Sequence, residues 1–274
     1  MKLLKLCLIA CLVLACSAFA APPAAPDASG VGVALAQAMA GSWREPANAA
    51  RDKYRHPRET LEFFGLKPDM TVVQLWPGSG WYTEILAPVL REHGQLIDAA
   101  LPPKGFGESD NTQRYLEKLK AHPDVYGKVK VVEFAPPSKL DLGAPRSADM
   151  VLTFRNAHNW EGDHQLLAVF QAAFKVLKHG GVLGLTDHRA APGKTVAQTF
   201  QSGYMPSDYV IQVAQQAGFK LADQSEINAN PKDTKDYPKG VWTLPPTYTL
   251  GEKDKAKYAA VGESDRMTLK FVKP

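Results

Sequence analysis

The chain has 274 residues, of which 45% are hydrophobic and 22% are charged, as is typical of a globular protein with one large, well-buried core. Lysine and arginine together number 32 against 28 aspartates and glutamates, so the formal net charge is only +4. So small an excess of positive charge argues against a nucleic acid as partner.

Residues 1–20 have the pattern of a secretory signal peptide. Lys2 and Lys5 give a positive start, Leu6 to Ala15 form a short apolar core, and Ala18-Phe19-Ala20 fits the small-x-small rule for cleavage. The apolar core is too short to cross a bilayer as a stable anchor. We therefore expect an exported protein, periplasmic or secreted, without a membrane span.

The cysteines of the chain all lie in this segment, at Cys7, Cys11 and Cys16. A mature chain that begins after Ala20 would therefore have no disulfide, no thiolate metal site and no catalytic cysteine. The run Val13-Leu14-Ala15-Cys16 also resembles a lipoprotein processing site, so a lipid anchor at Cys16 stays open as an alternative.

The rest of the chain divides into two parts by composition. Residues 21–45 combine a linker rich in proline and alanine with a short helix predicted over Val31 to Ala40. Residues 46–274 form the main domain, which opens with a helix that Pro57 starts and Gly65 stops.

Strand and helix patterns alternate along this domain. Parallel strands are predicted at Thr71–Trp76, Gln95–Ala100, Val129–Phe134, Asp149–Phe154 and Val182–Asp187. Helices are predicted near Tyr82–His93, Thr112–His122, Asp163–Lys178 and Ser207–Ala217. Strands joined through helices predict an α/β fold, doubly wound around a mostly parallel sheet with right-handed crossovers.

The C-terminal part departs from this alternation. Lys220–Ile227 and Met267–Val272 alternate in polarity like strands and predict an antiparallel hairpin at the sheet edge. Between them, the segment from Asn228 to Glu263 carries many proline, lysine and aspartate residues, so we expect a long surface loop there.

The most informative segment joins the first strand of the sheet to the helix that follows it. Val72, Val73 and Leu75 form a short apolar run, which Pro77-Gly78-Ser79-Gly80 ends before a helical pattern begins at Thr83. Glycines at such a turn let backbone N–H groups approach a ligand closely, and the helix N-terminus behind them favours negative charge. The turn therefore predicts a nucleotide-like ligand above the first strand.

This turn, the segment that leads up to it from Arg51, and two later runs resemble the class I S-adenosylmethionine-dependent methyltransferases, over roughly residues 50–274. The later runs are Lys178-His179-Gly180-Gly181 before the fifth strand and Asp265 to Phe271 near the end. Within that class, the chain resembles the exported, predicted methyltransferase group. The resemblance implies a Rossmann-like methyltransferase fold with a seven-stranded sheet, S-adenosyl-L-methionine as cofactor and methylation of a small molecule.

Three positions depart from the pattern of that class. Gln74 stands at the usual acidic residue of the first strand, Trp76 at the usual first glycine, and Ala100 at the acid that would hold ribose hydroxyls. Asp98 lies two residues earlier on the same face of a regular strand, but deeper. Each missing charge-assisted hydrogen bond would weaken cofactor binding by roughly 1.5–3 kcal/mol unless another group replaces it.

Ligands of an open parallel sheet bind beyond the carboxyl ends of its strands, and here those ends carry many polar residues. We expect the cofactor to contact Trp76, Gly78, Ser79, Gly80, Tyr82, Asp98 and Asn156. Aromatic faces there could stabilise a sulfonium cation and so replace part of the missing carboxylates. On the acceptor side we expect His158, His188 and His56, and His158 or His188 could remove a proton near neutral pH.

Three alternatives remain beside this interpretation. A dinucleotide site would need a third glycine at the position of Thr83, so that ligand is disfavoured. Histidines and aspartates at the strand ends could bind a divalent ion, but no pair has the tight spacing of a recognised metal motif, so no metal ligand is assigned. The third alternative is an exported protein that keeps the fold without catalysis.

Overall fold

The structure is a computed structural model that describes residues 30–103 and 111–274. The predicted signal peptide and the alternative lipid anchor at Cys16 therefore lie outside the described residues. The sheet is built from β1 (Thr71–Leu75), β2 (Gln95–Ala100), β3 (Lys130–Glu133), β4 (Ala148–Phe154), β5 (Leu177–His188), β6 (Lys220–Ser225) and β7 (Arg266–Val272).

Helices connect and cover these strands. They are α1 (Gly30–Met39), α2 (Pro46–Ala49), α3 (Asp52–Arg55), α4 (Pro57–Phe64), α5 (Thr83–Leu90), α6 (Asn111–Ala121), α7 (Pro123–Tyr126), α8 (Ala157–Gly162), α9 (Leu166–Val176), α10 (Val196–Thr199), α11 (Ser207–Gln216) and α12 (Lys255–Val261). Within the described ranges, no helix combines the length and the apolar character that crossing a membrane requires.

The strands form one seven-stranded sheet in the order β3-β2-β1-β4-β5-β7-β6. Strands β1 to β5 run parallel, and β7 pairs antiparallel with both β5 and β6. The predicted doubly wound, mostly parallel sheet with its antiparallel C-terminal pair is thus confirmed. The strand order reverses between β1 and β4, and an open sheet binds ligands at the carboxyl ends of the strands around such a point.

The sheet is covered on both faces, which explains why its central strands read as continuous apolar runs. On one face, Val73 and Leu75 pack into a cluster with helices α9 and α11. On the other face, Val72 packs into a second cluster with helices α1, α4 and α5. Neighbouring residues of β1 thus point to opposite sides, as the pleat of a strand requires.

Helix α1 belongs to this second cluster. The helix predicted over Val31 to Ala40 is confirmed as Gly30–Met39, and its Leu35 is completely buried. Helix α4 ends, as predicted, at Gly65, whose φ of 84° closes the helix in the left-handed conformation that glycine adopts without strain.

Close contact between α4 and β5 depends on the missing side chain of Gly184. A Cβ at Gly184 would lie 2.7 Å from the ring of Phe64 and 2.8 Å from Leu152. Such distances are well inside van der Waals contact, so only glycine allows the ring of Phe64 to rest on the strand. This contact fixes α4, and with it the preceding helix α3, over the carboxyl half of the sheet.

The prediction of a long surface loop from Asn228 to Glu263 is wrong. The segment contains a 3-10 helix at Gly240–Thr243 and helix α12, and several of its side chains are buried. Asn228 donates its amide to the hydroxyls of Thr60 and Thr268 at 2.9 and 3.0 Å. The polar composition of the segment predicted exposure to solvent. In the structure, however, several of its polar side chains form hydrogen bonds with residues that are distant in sequence.

Candidate active site

The turn after β1 begins with Trp76, which takes an uncommon backbone conformation. Its φ is +46°, and its N–H donates to the carbonyl of Ala99 at 2.8 Å, so the chain stays paired to β2 for one residue beyond the strand. Positive φ in a bulky side chain costs free energy and is concentrated at functional sites. This geometry aims the indole across the edge of the sheet.

The two glycines of the turn, Gly78 and Gly80, have different structural roles. Gly78 has a φ of +61° and is exposed, and a Cβ added there would meet no atom within 4 Å. In the described part of the chain, the N–H groups of Gly78 and Ser79 make no hydrogen bond, so they can donate to a ligand. Helix α5 begins just beyond them, and its N-terminus adds a favourable field for an anion.

Gly80 serves packing instead. Its φ is +86°, and a Cβ there would lie 2.9 Å from the ring of Tyr115 on helix α6. Tyr115 is completely buried, and its hydroxyl donates a short hydrogen bond to the carboxylate of Asp98. The second glycine of the turn therefore makes room for the protein's own aromatic ring.

Asp98 lies beneath the turn, out of contact with solvent. One carboxylate oxygen accepts the hydroxyls of Tyr115 and, at 2.9 Å, of Thr83, while the other oxygen is buried without a partner. Thr83 also lies 3.2 Å from the side-chain oxygen of Gln74. Burial raises the pKa of Asp98 to about 7, against the opposing hydrogen bonds from Tyr115 and Thr83. Through its hydrogen bond with Tyr115, the carboxyl group of Asp98 holds α6 against the sheet.

The indole of Trp76 covers the end of β2. Its Nε1 donates to the carbonyl of Phe134 just after β3, at 3.0 Å, and its ring meets that of Trp160 edge-on at 5.2 Å. Because β2 lies between β1 and β3, this hydrogen bond places the indole over Ala100. Ala100 occupies the position at which the methyltransferase pattern has a ribose-binding acid. The half-buried indole thus forms an aromatic floor beside the glycine turn.

Two further residues expected at the cofactor have structural partners. The amide of Asn156 donates to the carbonyl of Leu75 at 3.1 Å and lies 3.3 Å from the hydroxyl of Thr153, so it ties the ends of β1 and β4 together. Tyr82 stacks on Phe154 with ring centroids 3.4 Å apart. Both side chains line the point where the strand order reverses.

The structure brings together two of the three predicted histidines. His158, at the start of α8, directs Nδ1 to a carboxylate oxygen of Asp187 at 2.9 Å, and its own N–H donates to the other oxygen at 2.9 Å. Asp187, at the end of β5, is completely buried and also accepts the N–H of His188 at 2.8 Å. A carboxylate on Nδ1 leaves Nε2 of His158 as the nitrogen that can take a proton.

His188 lies beside this pair with both ring nitrogens engaged. Its Nδ1 makes a short hydrogen bond with the hydroxyl of Ser264, and its Nε2 accepts from Nε of Arg155 at 3.4 Å. Burial, and after it the charge of Arg155, lower the pKa of His188 well below its usual range. His188 is therefore neutral near pH 7, and it positions its neighbours rather than exchanging a proton.

The third histidine, His56, lies in the left-handed link between α3 and α4, with a φ of +41°. In the described part of the chain its ring makes no hydrogen bond to either of the other two. The residue before it, Arg55, lies at the site instead, with its guanidinium 4.5 Å above the ring of Trp81.

Arginines at α3 and on β7 meet at a shared carboxylate; the sequence placed Arg55 on the acceptor side but did not reveal this partner. Arg51, Arg55 and Arg266 place guanidinium nitrogens 2.6, 3.1 and 2.9 Å from the carboxylate of Glu263. The local signals were the spacing of Arg51 and Arg55, one helical turn apart, and the spacing of Glu263 and Arg266, three residues apart. Their shared partner comes from the segment that composition placed in a surface loop.

A metal ion is disfavoured where the polar residues converge. Ligand atoms of His158, Asp187 and His188 lie within 4.8 Å of one another, the arrangement that the metal alternative required. Arg155, however, donates to His188 from 3.4 Å, and a cation would have to displace or repel it. Asp187 already accepts three hydrogen bonds, so the carboxylate has little capacity left for an ion.

No family model matches the sequence, and no curated protein matches it either. Solved structures match over most of the chain. One is an S-adenosylmethionine-dependent methyltransferase from Aquifex aeolicus, 16% identical, with a TM-score of 0.56 over 84% of this chain and 94% of that one. A second is the geranyl diphosphate C-methyltransferase of Streptomyces coelicolor A3(2), 12% identical, with a TM-score of 0.52 over 86% and 87%.

A third similar structure has a different reaction. The [4+2]-cyclase SpnF is 15% identical, with a TM-score of 0.56 over 89% of this chain and 93% of its own. Because one architecture serves unrelated chemistries, identities this low establish the fold and leave the reaction to the site. The chain has the Rossmann-like fold of the S-adenosylmethionine-dependent methyltransferases.

The residues at the turn fit S-adenosylmethionine in part. The N–H groups of Gly78 and Ser79, which have no partner within the part of the chain that the structure describes, suit its carboxylate, and the half-buried indole of Trp76 suits its sulfonium cation. Among the described residues, the end of β2 offers the ribose hydroxyls no carboxylate, because Ala100 stands there and Asp98 is buried under Tyr115. The site thus fits the charged end of the cofactor better than its nucleoside.

Proposed function

We propose that this protein is an S-adenosylmethionine-dependent methyltransferase that acts on a small molecule. The proposal is supported by the fold and by a glycine turn whose N–H groups make no hydrogen bond to any described residue. The observation that carries it is the Asp187–His158 pair, a buried carboxylate and an imidazole held 2.9 Å apart at the same edge of the sheet. Such a pair is the usual means of removing a proton from a nucleophile.

The cofactor would lie between the turn and the aromatic floor. Gly78 and Ser79 would donate to its carboxylate, and the indole of Trp76 would face its positive charge. When bound, it supplies a methyl group already activated by the sulfonium. The protein then needs only to align an acceptor with that methyl group and to exclude competing water.

His158 would accept the proton of the acceptor on Nε2. Asp187 fixes the ring by holding Nδ1–H, and it stabilises the imidazolium that forms. His188 packs beside it, with the two ring centroids 5.1 Å apart, and its neutral state adds no charge that would oppose proton uptake. Asp187 is itself held in place by three hydrogen bonds, which engage both of its oxygens.

The place of action is also part of the proposal. The pattern of residues 1–20 supports export, and the protein would then act in the periplasm or outside the cell. Fractionation of cells that express the whole chain tests this. Protein found in the periplasmic or secreted fraction, shortened after Ala20 or at Cys16, supports export, and a full-length cytosolic protein contradicts it.

Titration calorimetry with S-adenosylmethionine and S-adenosylhomocysteine tests the cofactor. Gly78→Val would put a side chain into the open space above the turn and is expected to weaken binding at least tenfold. Gly251→Val is the matched control, because Gly251 has a φ of +63° and equally open surroundings. Both variants carry the same backbone strain, so only a site at the turn distinguishes them. Equal affinities in the two variants would contradict the proposal, and absence of binding would favour the non-catalytic alternative.

A further inference from the structure

The charges beside the candidate active site do not balance. Arg51, Arg55, Arg155 and Arg266, here called the arginine cluster, lie close enough to interact electrostatically with one another and with Glu263. Glu263 is the one carboxylate that they share among the described residues, and it already contacts three of them. Asp187, the other carboxylate nearby, is occupied by His158 and by backbone N–H groups.

Arg155 is the member of the arginine cluster without a carboxylate. Its Nε donates to His188 at 3.4 Å, and in the described ranges its two terminal nitrogens make no hydrogen bond, while the residue as a whole is half-buried. Its backbone is strained as well, with a φ of +63° at the carboxyl end of β4. Burial, with the neighbouring Arg55 next, lowers its pKa to about 9, in keeping with a cation that contacts no carboxylate among the described residues.

Two other members of the arginine cluster have donors to spare. Nη2 of Arg51 and Nε of Arg266 are buried and have no partner. An unpaired buried donor on a charged group is costly, and packing alone gives no reason to keep it. Cations collected in this way at the ligand-binding edge of a sheet indicate that the missing negative charge comes with the ligand.

We propose that the methyl acceptor carries an anionic group, a carboxylate or a phosphate, which Arg155 binds through its two terminal nitrogens. That the bound molecule is a methyl acceptor rests on the proposed function, whereas the binding of an anion by Arg155 does not. The planar guanidinium fork matches the paired oxygens of either group. Since Arg155 and His158 both flank His188, an anion held there would leave the rest of the molecule beside Nε2 of His158.

Calorimetric titration of the purified protein with inorganic phosphate and, separately, with benzoate tests the site. At least one of the two is expected to bind saturably, and the comparison shows which oxyanion the site prefers. Arg155→Gln should weaken binding about tenfold or more, the loss expected for one charge-assisted hydrogen bond. The anion affinity of Arg155→Lys should lie between those of the wild type and Arg155→Gln, because lysine keeps the positive charge but lacks the planar guanidinium fork. Arg58→Gln, which changes a half-buried arginine paired with Glu62, should bind as the wild type does.

The melting temperature separates ligand binding from folding. Arg155→Gln removes a poorly compensated charge, so it should melt at or above the temperature of the wild type while it loses the anion. Equal affinity in wild type and Arg155→Gln, or no binding of either anion, would overturn the inference.

Titration of the anion in saturating S-adenosylhomocysteine decides whether the arginine cluster binds an anionic acceptor or the carboxylate of the cofactor. Undiminished anion binding supports an acceptor site, whereas competition would overturn it, because Arg155 would then hold the cofactor's own carboxylate. Failure of S-adenosylhomocysteine to bind while the anion still binds would remove the proposed function and leave the anion site standing. The two ideas can therefore fail separately.

Discussion

Two buried aspartates at the candidate site have opposite surroundings. Asp187 accepts three hydrogen bonds at 2.8–2.9 Å, which satisfy both of its oxygens. Asp98 leaves one oxygen unpaired, and its pKa is raised to about 7. The first carboxylate is thus held ready to support a histidine, while the second is a weak acid within the physiological range.

Asp98 makes the stability of the fold depend on pH. The folded protein keeps its proton up to about pH 7, whereas the unfolded chain releases it near the ordinary value of 3.8. This group therefore stabilises the fold below that value and loses its contribution as the pH rises to about 7, by about 4 kcal/mol at most. Urea denaturation of Asp98→Asn between pH 4 and 8 should lack this decline.

The exposed Asp254→Asn is the control for that measurement and should keep the decline of the wild type. Parallel pH profiles of wild type and Asp98→Asn would show that the carboxylate is ionised in the folded protein throughout.

Gly80 and Gly78 should respond differently to alanine. Both have positive φ, so a Cβ costs about 1–2 kcal/mol of strain at either position. At Gly80 the Cβ also meets the ring of Tyr115, which adds about 1–3 kcal/mol of overpacking. Gly80→Ala should thus lower the free energy of unfolding more than Gly78→Ala, as measured by urea denaturation. Equal losses would mean that Tyr115 does not rest on the turn.

At the scale of elements, Glu263 joins α3 to the start of β7. Burial opposes its ionisation, but Arg55, Arg266 and Arg51 outweigh that effect and lower its pKa below the ordinary range. Its contribution to stability is thus complete above its ordinary pKa of 4.5 and is lost only as the pH falls far below it. Removal of the charge at neutral pH would leave three arginines without their shared partner.

Glu263→Gln should therefore destabilise the protein by about 3–5 kcal/mol, the cost of breaking a buried ion pair. Glu62→Gln removes the half-buried partner of Arg58 and should cost no more than about 0.5 kcal/mol. Chemical denaturation at pH 7 measures both. A similar small effect in the two variants would show that α3 is not held by this carboxylate.

The elements of the sheet could be predicted from sequence because their signals are local. The strand predicted at Gln95–Ala100 has those bounds, and β1 ends one residue before its predicted limit at Trp76. The helix predicted to Lys178 stops at Val176, since β5 already begins at Leu177. Ends of elements depend on tertiary pairing, which local periodicity does not contain.

The candidate site was predictable only in part, for the same reason. His158 follows β4 and His188 ends the adjacent parallel strand β5, so topology alone brings them together. Two of the partners of Glu263, Arg51 and Arg55, lie 212 and 208 residues away in sequence, beyond any local pattern. Likewise, nothing in the sequence showed that the hydroxyl of Tyr115 would bind the carboxylate of Asp98, because α6 and β2 come into contact only in the folded protein.

At the scale of the whole molecule, the doubly wound sheet determines where a ligand binds but not what happens to it. The same architecture serves methyltransferases and the cyclase SpnF. What is particular to this chain is the set of side chains at the carboxyl edge. An indole covers the end of β2, a carboxylate–histidine pair follows β4 and β5, and arginines gather beside them.

A crystal structure determined with saturating S-adenosylhomocysteine tests this account most directly. We expect density for the ligand above Gly78 and Ser79, with its carboxylate within hydrogen-bond distance of their N–H groups and its sulfur near the indole of Trp76. An empty edge, with that indole still donating to Phe134 at its distance of 3.0 Å, would contradict the account.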